Sequence, residues 1–116
     1  WLWDTVEKPL DIYACPADLS SRLREEIETS CATAYRVLRC RDWSRVDVRL
    51  DGRGKPHVIE VNPLPGILPR PEDNSCFPKA ARAAGMNYSQ LINEVADIAM
   101  RRHGIVLPAQ RHAVSA

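Results

Sequence analysis

Arg45-Val46-Asp47-Val48-Arg49-Leu50, then Asp51-Gly52-Arg53-Gly54-Lys55-Pro56, then His57-Val58-Ile59-Glu60-Val61-Asn62 is the stretch whose reading decides the fold. Val46, Val48 and Leu50 alternate with Arg45, Asp47 and Arg49, the period of two that marks a half-buried strand. The middle block is a turn by composition. His57 to Asn62 reads as a second strand, with Val58, Glu60 and Asn62 on one face and His57, Ile59 and Val61 on the other. The two are expected to form an antiparallel hairpin. Pairing Leu50 with His57 sets Asp47 opposite Glu60 and Arg45 opposite Asn62. Opposed residues share a face, with Cβ atoms roughly 4.5–5.5 Å apart. Two carboxylates, an amide and a guanidinium would therefore converge on one patch.

Facing carboxylates destabilise a sheet unless something positive lies between them. Arg45 can do part of this, but its planar fork suits an anion better. A hard divalent cation is the natural occupant, and magnesium typically takes one or two carboxylates together with substrate phosphates. An arginine beside such a site can offset charge on a transferring phosphoryl group. The competing reading is a solvated strand face carrying a chance cluster of charges, and spacing alone favours neither.

Outward from the hairpin, Leu23, Ile27, Cys31, Ala34 and Leu38 recur on one helical face. Asp18 and Ser20 offer N-cap oxygens for a helix starting near Ser21. Further upstream, Ile12, Tyr13 and Ala14 suggest a short strand ending at Pro16. Downstream, residues 63–74 carry Pro63, Pro65, Pro69 and Pro71 and read as a loop. A short helix is expected over 78–84, closed by Gly85. Asn87 then caps a last helix whose core stripe is Leu91, Ile92, Val95, Ile98 and Ala99, ended by Gly104. Residues 105–116 read as a tail.

The 116 residues amount to one domain or part of one, with a modest core expected. Hydrophobic content of 45% and charged content of 27% suit a globular protein. Sixteen basic against 15 acidic residues, a net charge of +1, give no support to nucleic-acid or membrane-surface binding driven by bulk charge. No apolar run approaches the ~20 residues of a membrane span, and no signal peptide is visible. A first residue of Trp1 rather than Met suggests a chain cut from something longer. The four cysteines, Cys15, Cys31, Cys40 and Cys76, form no C-x-x-C pair. They read as reduced, mostly buried thiols rather than a disulfide or metal site.

The segments Arg45 to Leu50 and Val58-Ile59-Glu60-Val61-Asn62-Pro63-Leu64-Pro65-Gly66 together resemble the C-terminal core of the ATP-grasp ligases, and within them the D-alanine–D-alanine ligase family. The likeness continues through Asn74-Ser75-Cys76-Phe77-Pro78-Lys79-Ala80-Ala81 and Asn87 to Ile92. Cys15-Pro16-Ala17 and Ala34 to Leu38 also fit, so it covers nearly all of residues 12–102. The resemblance implies an α+β fold, an antiparallel sheet with flanking helices, over residues 1–104. It implies a cytoplasmic, magnesium-dependent ligase of peptidoglycan precursor synthesis: ATP phosphorylates the carboxylate of one D-alanine, and the amine of a second attacks the acyl phosphate. Asp47, Glu60 and Asn62 match the family's ligands for one or two magnesium ions, with manganese as an alternative. Arg45 matches the arginine on the transferred phosphoryl group, and the Gly66 N–H the donor to the oxyanion. Ser75 matches the serine holding the second substrate's carboxylate, and Ile59 an apolar residue against adenine.

The expected partners are small amino acids, with no nucleic acid and no membrane; a homodimeric parent stays open. The proline-rich loop 67–74 is longer than in many members. The lysines and hinge carboxylate that hold ATP would lie upstream of Trp1, which makes this piece inactive by itself. Other readings are an ATP-grasp carboxylate–amine ligase with a different acceptor, and a non-catalytic domain. His57 and His103 read as non-catalytic, and Lys79 as solvated.

Overall fold

The computed structural model describes residues 14–73 and 75–105. Helix α1 (Ser21–Val37) leads to a two-stranded antiparallel sheet of β1 (Arg45–Leu50) and β2 (Pro56–Asn62). A single 3-10 turn (Pro71–Asp73), α2 (Cys76–Ala83) and α3 (Tyr88–Arg102) complete the order. This is the expected α+β arrangement of a sheet with flanking helices. The short strand expected around Ile12 and most of the tail lie outside the described residues.

Local chemistry sets the element boundaries. Ser20, extended at the N-cap, accepts the Leu23 N–H through Oγ, which starts α1. The apolar stripe of α1 runs out before Leu38: this C-cap residue is 60% exposed, and the half-buried members are Leu23, Ile27, Cys31 and Ala34. Helix α2 begins two residues earlier than expected, at Cys76, because Ser75 is its N-cap and Pro78 falls in the first turn, where a missing N–H is harmless. It stops at Gly85, whose φ of 86° only glycine adopts without strain. Asn87 and Gln90 form a reciprocal capping box at the start of α3. The proline-rich loop is not wholly irregular: Arg70 forks onto Asp73 across its 3-10 turn.

A two-stranded hairpin needs a packing partner to be stable. Here α1 packs on the hairpin, mainly on β2, while α2 and α3 pack on each other. The two halves meet where the Trp43 and Phe77 rings pack edge to face, centroids 5.5 Å apart. The core is thinner than expected for the length. Among the described residues Leu91, Pro65 and Pro78 are the apolar side chains classed as buried, whereas Val37, Leu64 and Leu68 are exposed. The cysteines are free, but Cys15 and Cys76 are exposed and Cys31 and Cys40 only half-buried, so the expectation of mostly buried thiols fails. Burial still pushes the Cys31 thiol above its ordinary value.

Candidate active site

The strand register pairs Asp47 with Glu60 and Arg45 with Asn62. These four residues share one face of the hairpin, as the alternation requires. The turn end differs. Leu50 pairs with Pro56, not with His57, because Ile59 is an extra residue in β2 between the pairs Asp47–Glu60 and Val48–Val58. A bulge of this kind reverses the alternation beyond it. Val58 joins Val48 on the apolar face, and His57 comes to lie opposite Arg49. Ile59 itself is 64% exposed beside Glu60. The turn is organised by Asp51, whose carboxylate accepts the Arg53 and Lys55 N–H groups and contacts His57 Nε2. Those bonds hold its carboxyl below the ordinary range, the Lys55 and Arg53 amides first.

On the polar face, Arg45 makes a fork onto Asp47: Nε to Oδ1 at 2.8 Å and a terminal nitrogen to Oδ2 at 3.0 Å. Both side chains are partly open, at 38% and 40% exposure. These hydrogen bonds push the Arg45 guanidinium above its ordinary value against the opposing effect of burial, and the charges of Asp47 and Glu60 add to the rise. Glu60 is exposed. Asn62 is half-buried, and its Nδ2 is fully buried without a hydrogen-bond partner. An unpaired buried amide group is costly, and the two ends of an amide exchange places by a half-turn. Among the described residues no group of three or more His, Cys, Asp or Glu side chains could hold a metal. The set here is two carboxylates and an amide.

A second cluster lies on the following loops. Gly66 leaves β2 beyond the buried Pro65. Its φ is outside the left-handed region, and a Cβ built on it would stand 3.4 Å from Ser75 Oγ, ordinary contact. Glycine is therefore not required by backbone strain; its effect is to leave open the space beside that hydroxyl. Ser75 is 9% exposed and occupies the N-cap of α2 without a capping bond from its side chain. Lys79, expected to be solvated, is half-buried in α2, with its N–H on the Ser75 carbonyl.

Sequence reasoning missed several residues of this region. Cys76, the first residue of α2, is an exposed free thiol directly after Ser75. Asp42, at φ 61°, takes a two-point ion pair from Arg102, and Tyr88 reaches the loop after Gly66. Contacts between residues 60 or 21 positions apart leave no periodic signal in a single chain.

Residues 7–97 match the family described as D-ala D-ala ligase C-terminus. The chain belongs to this family. It is 42% identical over 83 residues to a D-alanine–D-alanine ligase of Cupriavidus pinatubonensis, covering 72% of this chain and 24% of that protein. Against the D-alanine–D-alanine ligase of Bordetella avium it is 44% identical over 79 residues, 68% of this chain and 24% of that one. An uncharacterized protein of Sinorhizobium fredii is 40% identical over 89 residues, 77% of this chain and 25% of its own length. Among solved structures, the Bacillus anthracis D-alanine–D-alanine ligase complexed with ATP aligns with a TM-score of 0.69 and 33% identity, over 76% of this chain and 29% of that one. The chain thus spans about a quarter of the length of these curated relatives.

Proposed function

We propose that this chain is the C-terminal part of a magnesium-dependent D-alanine–D-alanine ligase acting in the cytoplasm on peptidoglycan precursors. Family membership supports the reaction class, and the observation that carries the reading is the register that sets Asp47 against Glu60 and Arg45 against Asn62. The donor set fits magnesium: two carboxylates at the open end of the face and a buried, unpartnered amide end that can present its oxygen. Asp47, Glu60 and Asn62 would hold one or two ions. When bound, magnesium supplies positive charge against the phosphates of ATP.

The chain's own groups have distinct tasks. Arg45 carries a permanent charge and a planar fork, suited to the transferred phosphoryl group. In the structure that fork lies on Asp47, and the two charges neutralise each other; a cation held by Asp47 would leave the guanidinium free for the phosphoryl group. Ile59, apolar and exposed beside Glu60, offers a surface for adenine. The Gly66 N–H donates to the oxyanion formed when the acceptor amine attacks the acyl phosphate, a charge that exists only along the reaction path. The Ser75 hydroxyl donates to the acceptor's carboxylate. Nucleotide-holding groups belong to the remaining three-quarters of such a ligase, so this chain by itself makes no dipeptide.

The experiment is ATP-dependent condensation by the full-length ligase carrying this sequence, followed by ADP release and product mass with D-alanine, D-lactate and D-serine as acceptors. D-alanyl-D-alanine as the dominant product supports the reading. Preference for another acceptor moves the chain to a neighbouring carboxylate–amine ligase, and ADP release with no product removes the ligase assignment.

A further inference from the structure

Helix α3 carries none of the residues given a role above, yet its two ends are tied to the two halves of the site. Its first residue, Tyr88, donates its hydroxyl to the Ile67 carbonyl at 2.9 Å. Ile67 directly follows Gly66, and the buried Pro65 directly precedes it. The loop from Pro63 to Arg70 has no helix or strand of its own, and Gly66 sits in it between the buried Pro65 and the tethered Ile67. Its last residue, Arg102, forks onto Asp42, with Nε to Oδ1 at 2.8 Å and a terminal nitrogen to Oδ2 at 2.6 Å. Asp42 stands three residues before Arg45. The segment that leads into β1 turns through two non-glycine residues in the left-handed region, Arg39 at φ 54° and Asp42 at φ 61°. Such a conformation persists only where the surroundings hold it. The Asp42 side chain is 15% exposed under the guanidinium. Between the two ties runs a helix of 15 residues, about 22 Å at 1.5 Å per residue, and its buried Leu91 seats it.

We propose that α3 is a brace for the site, with Tyr88 and Arg102 as positioning residues that hold the Gly66 N–H and the Arg45–Asp47 face at a fixed separation. An oxyanion donor must sit within a few tenths of an ångström of the developing charge. A helix is stiff along its axis, whereas the loop from Pro63 to Arg70 has no backbone ladder of its own to fix where it lies, so the loop takes its position from the helix. Releasing either end frees the same distance, and the two ends therefore act as one device.

The catalytic consequence rests on the ligase reading; the mechanical one does not. Two arms keep them apart. In the full-length protein, nitrogen-15 relaxation of Tyr88→Phe reads the tie directly, since the ring stays and only the hydroxyl goes. The Gly66 and Ile67 order parameters should fall from about 0.85 to below about 0.6, while those of α1 stay unchanged. Unaltered values at Gly66 overturn the brace. In the full-length ligase, Tyr88→Phe and Arg102→Gln should each lower kcat roughly tenfold and leave the KM for ATP unchanged, because the oxyanion is absent from the ground state. The double variant should lose no more than the worse single one. Multiplying effects would show two independent sites and overturn the brace. If the unaltered protein makes no dipeptide, the ligase reading falls and the relaxation arm still decides the mechanical claim.

Discussion

Asp47, Glu60 and Arg45 show how far single residues were legible. Alternation placed them on one face of a hairpin, and the register does the same. What alternation could not give was the extra residue at Ile59, because a bulge leaves the composition of a strand unchanged and only shifts its phase. Nor could it give the fork from Arg45 to Asp47, which lies along one strand rather than across the pair. Gly66 carries a prediction at this scale. Gly66→Ala meets Ser75 Oγ at 3.4 Å without overlap and at an unstrained φ. The variant should therefore fold, with a stability change within about 1 kcal/mol by urea titration. Its methyl fills the space beside the serine hydroxyl, so on the proposed role of Ser75 the KM of the full-length protein for the acceptor amino acid should rise roughly tenfold or more while the KM for ATP holds.

Elements were legible where a cap or a period marks them. The Ser20 cap and the Asn87 cap both stand where side-chain oxygens precede an apolar repeat. Helix α2 starts at Cys76, two residues before Pro78, with Ser75 in the N-cap position but without a capping bond from its side chain, so no side-chain cap marks its start. Helix α3 opens with a full capping box: Asn87 Oδ1 accepts the Gln90 N–H at 2.9 Å, and Gln90 Oε1 accepts the Asn87 N–H at 2.8 Å. Asn87→Ala removes the first bond and orphans an N–H at the helix start. The cost should be about 1 kcal/mol, read as a lower urea midpoint with an unchanged slope. A larger loss would mean that Asn87 has a second partner.

The whole molecule was the least legible scale, since its packing depends on contacts between distant residues. The thin core and the exposed Val37, Leu64 and Leu68 were not foreseen. Nor was the Asp42–Arg102 pair, which joins the end of α3 to the approach to β1. This pair makes a pH prediction. The Arg102 hydrogen bond holds the Asp42 carboxyl below its ordinary value, against the opposing effect of desolvation, with the charges of Arg102, His103 and Arg41 also lowering it. A carboxylate depressed on folding contributes stability that is fully present above the unfolded value of about 3.9 and disappears as pH falls through the folded value. The urea midpoint of the chain should exceed that of Asp42→Asn at pH 7, and the gap should close in acid once pH has fallen below the ordinary carboxylate range and through the folded value. A gap that persists in strong acid would show that the carboxylate acts by packing.

The central claim is that the Asp47–Glu60 face holds the magnesium and phosphates of a ligase, and Glu60→Gln in the full-length protein tests it most directly. The substitution keeps shape and removes charge at an exposed position. Steady-state D-alanyl-D-alanine synthesis with magnesium varied should fall at least about a hundredfold in kcat, with an unchanged melting temperature. Turnover within about threefold of the parent at every magnesium concentration would contradict the account.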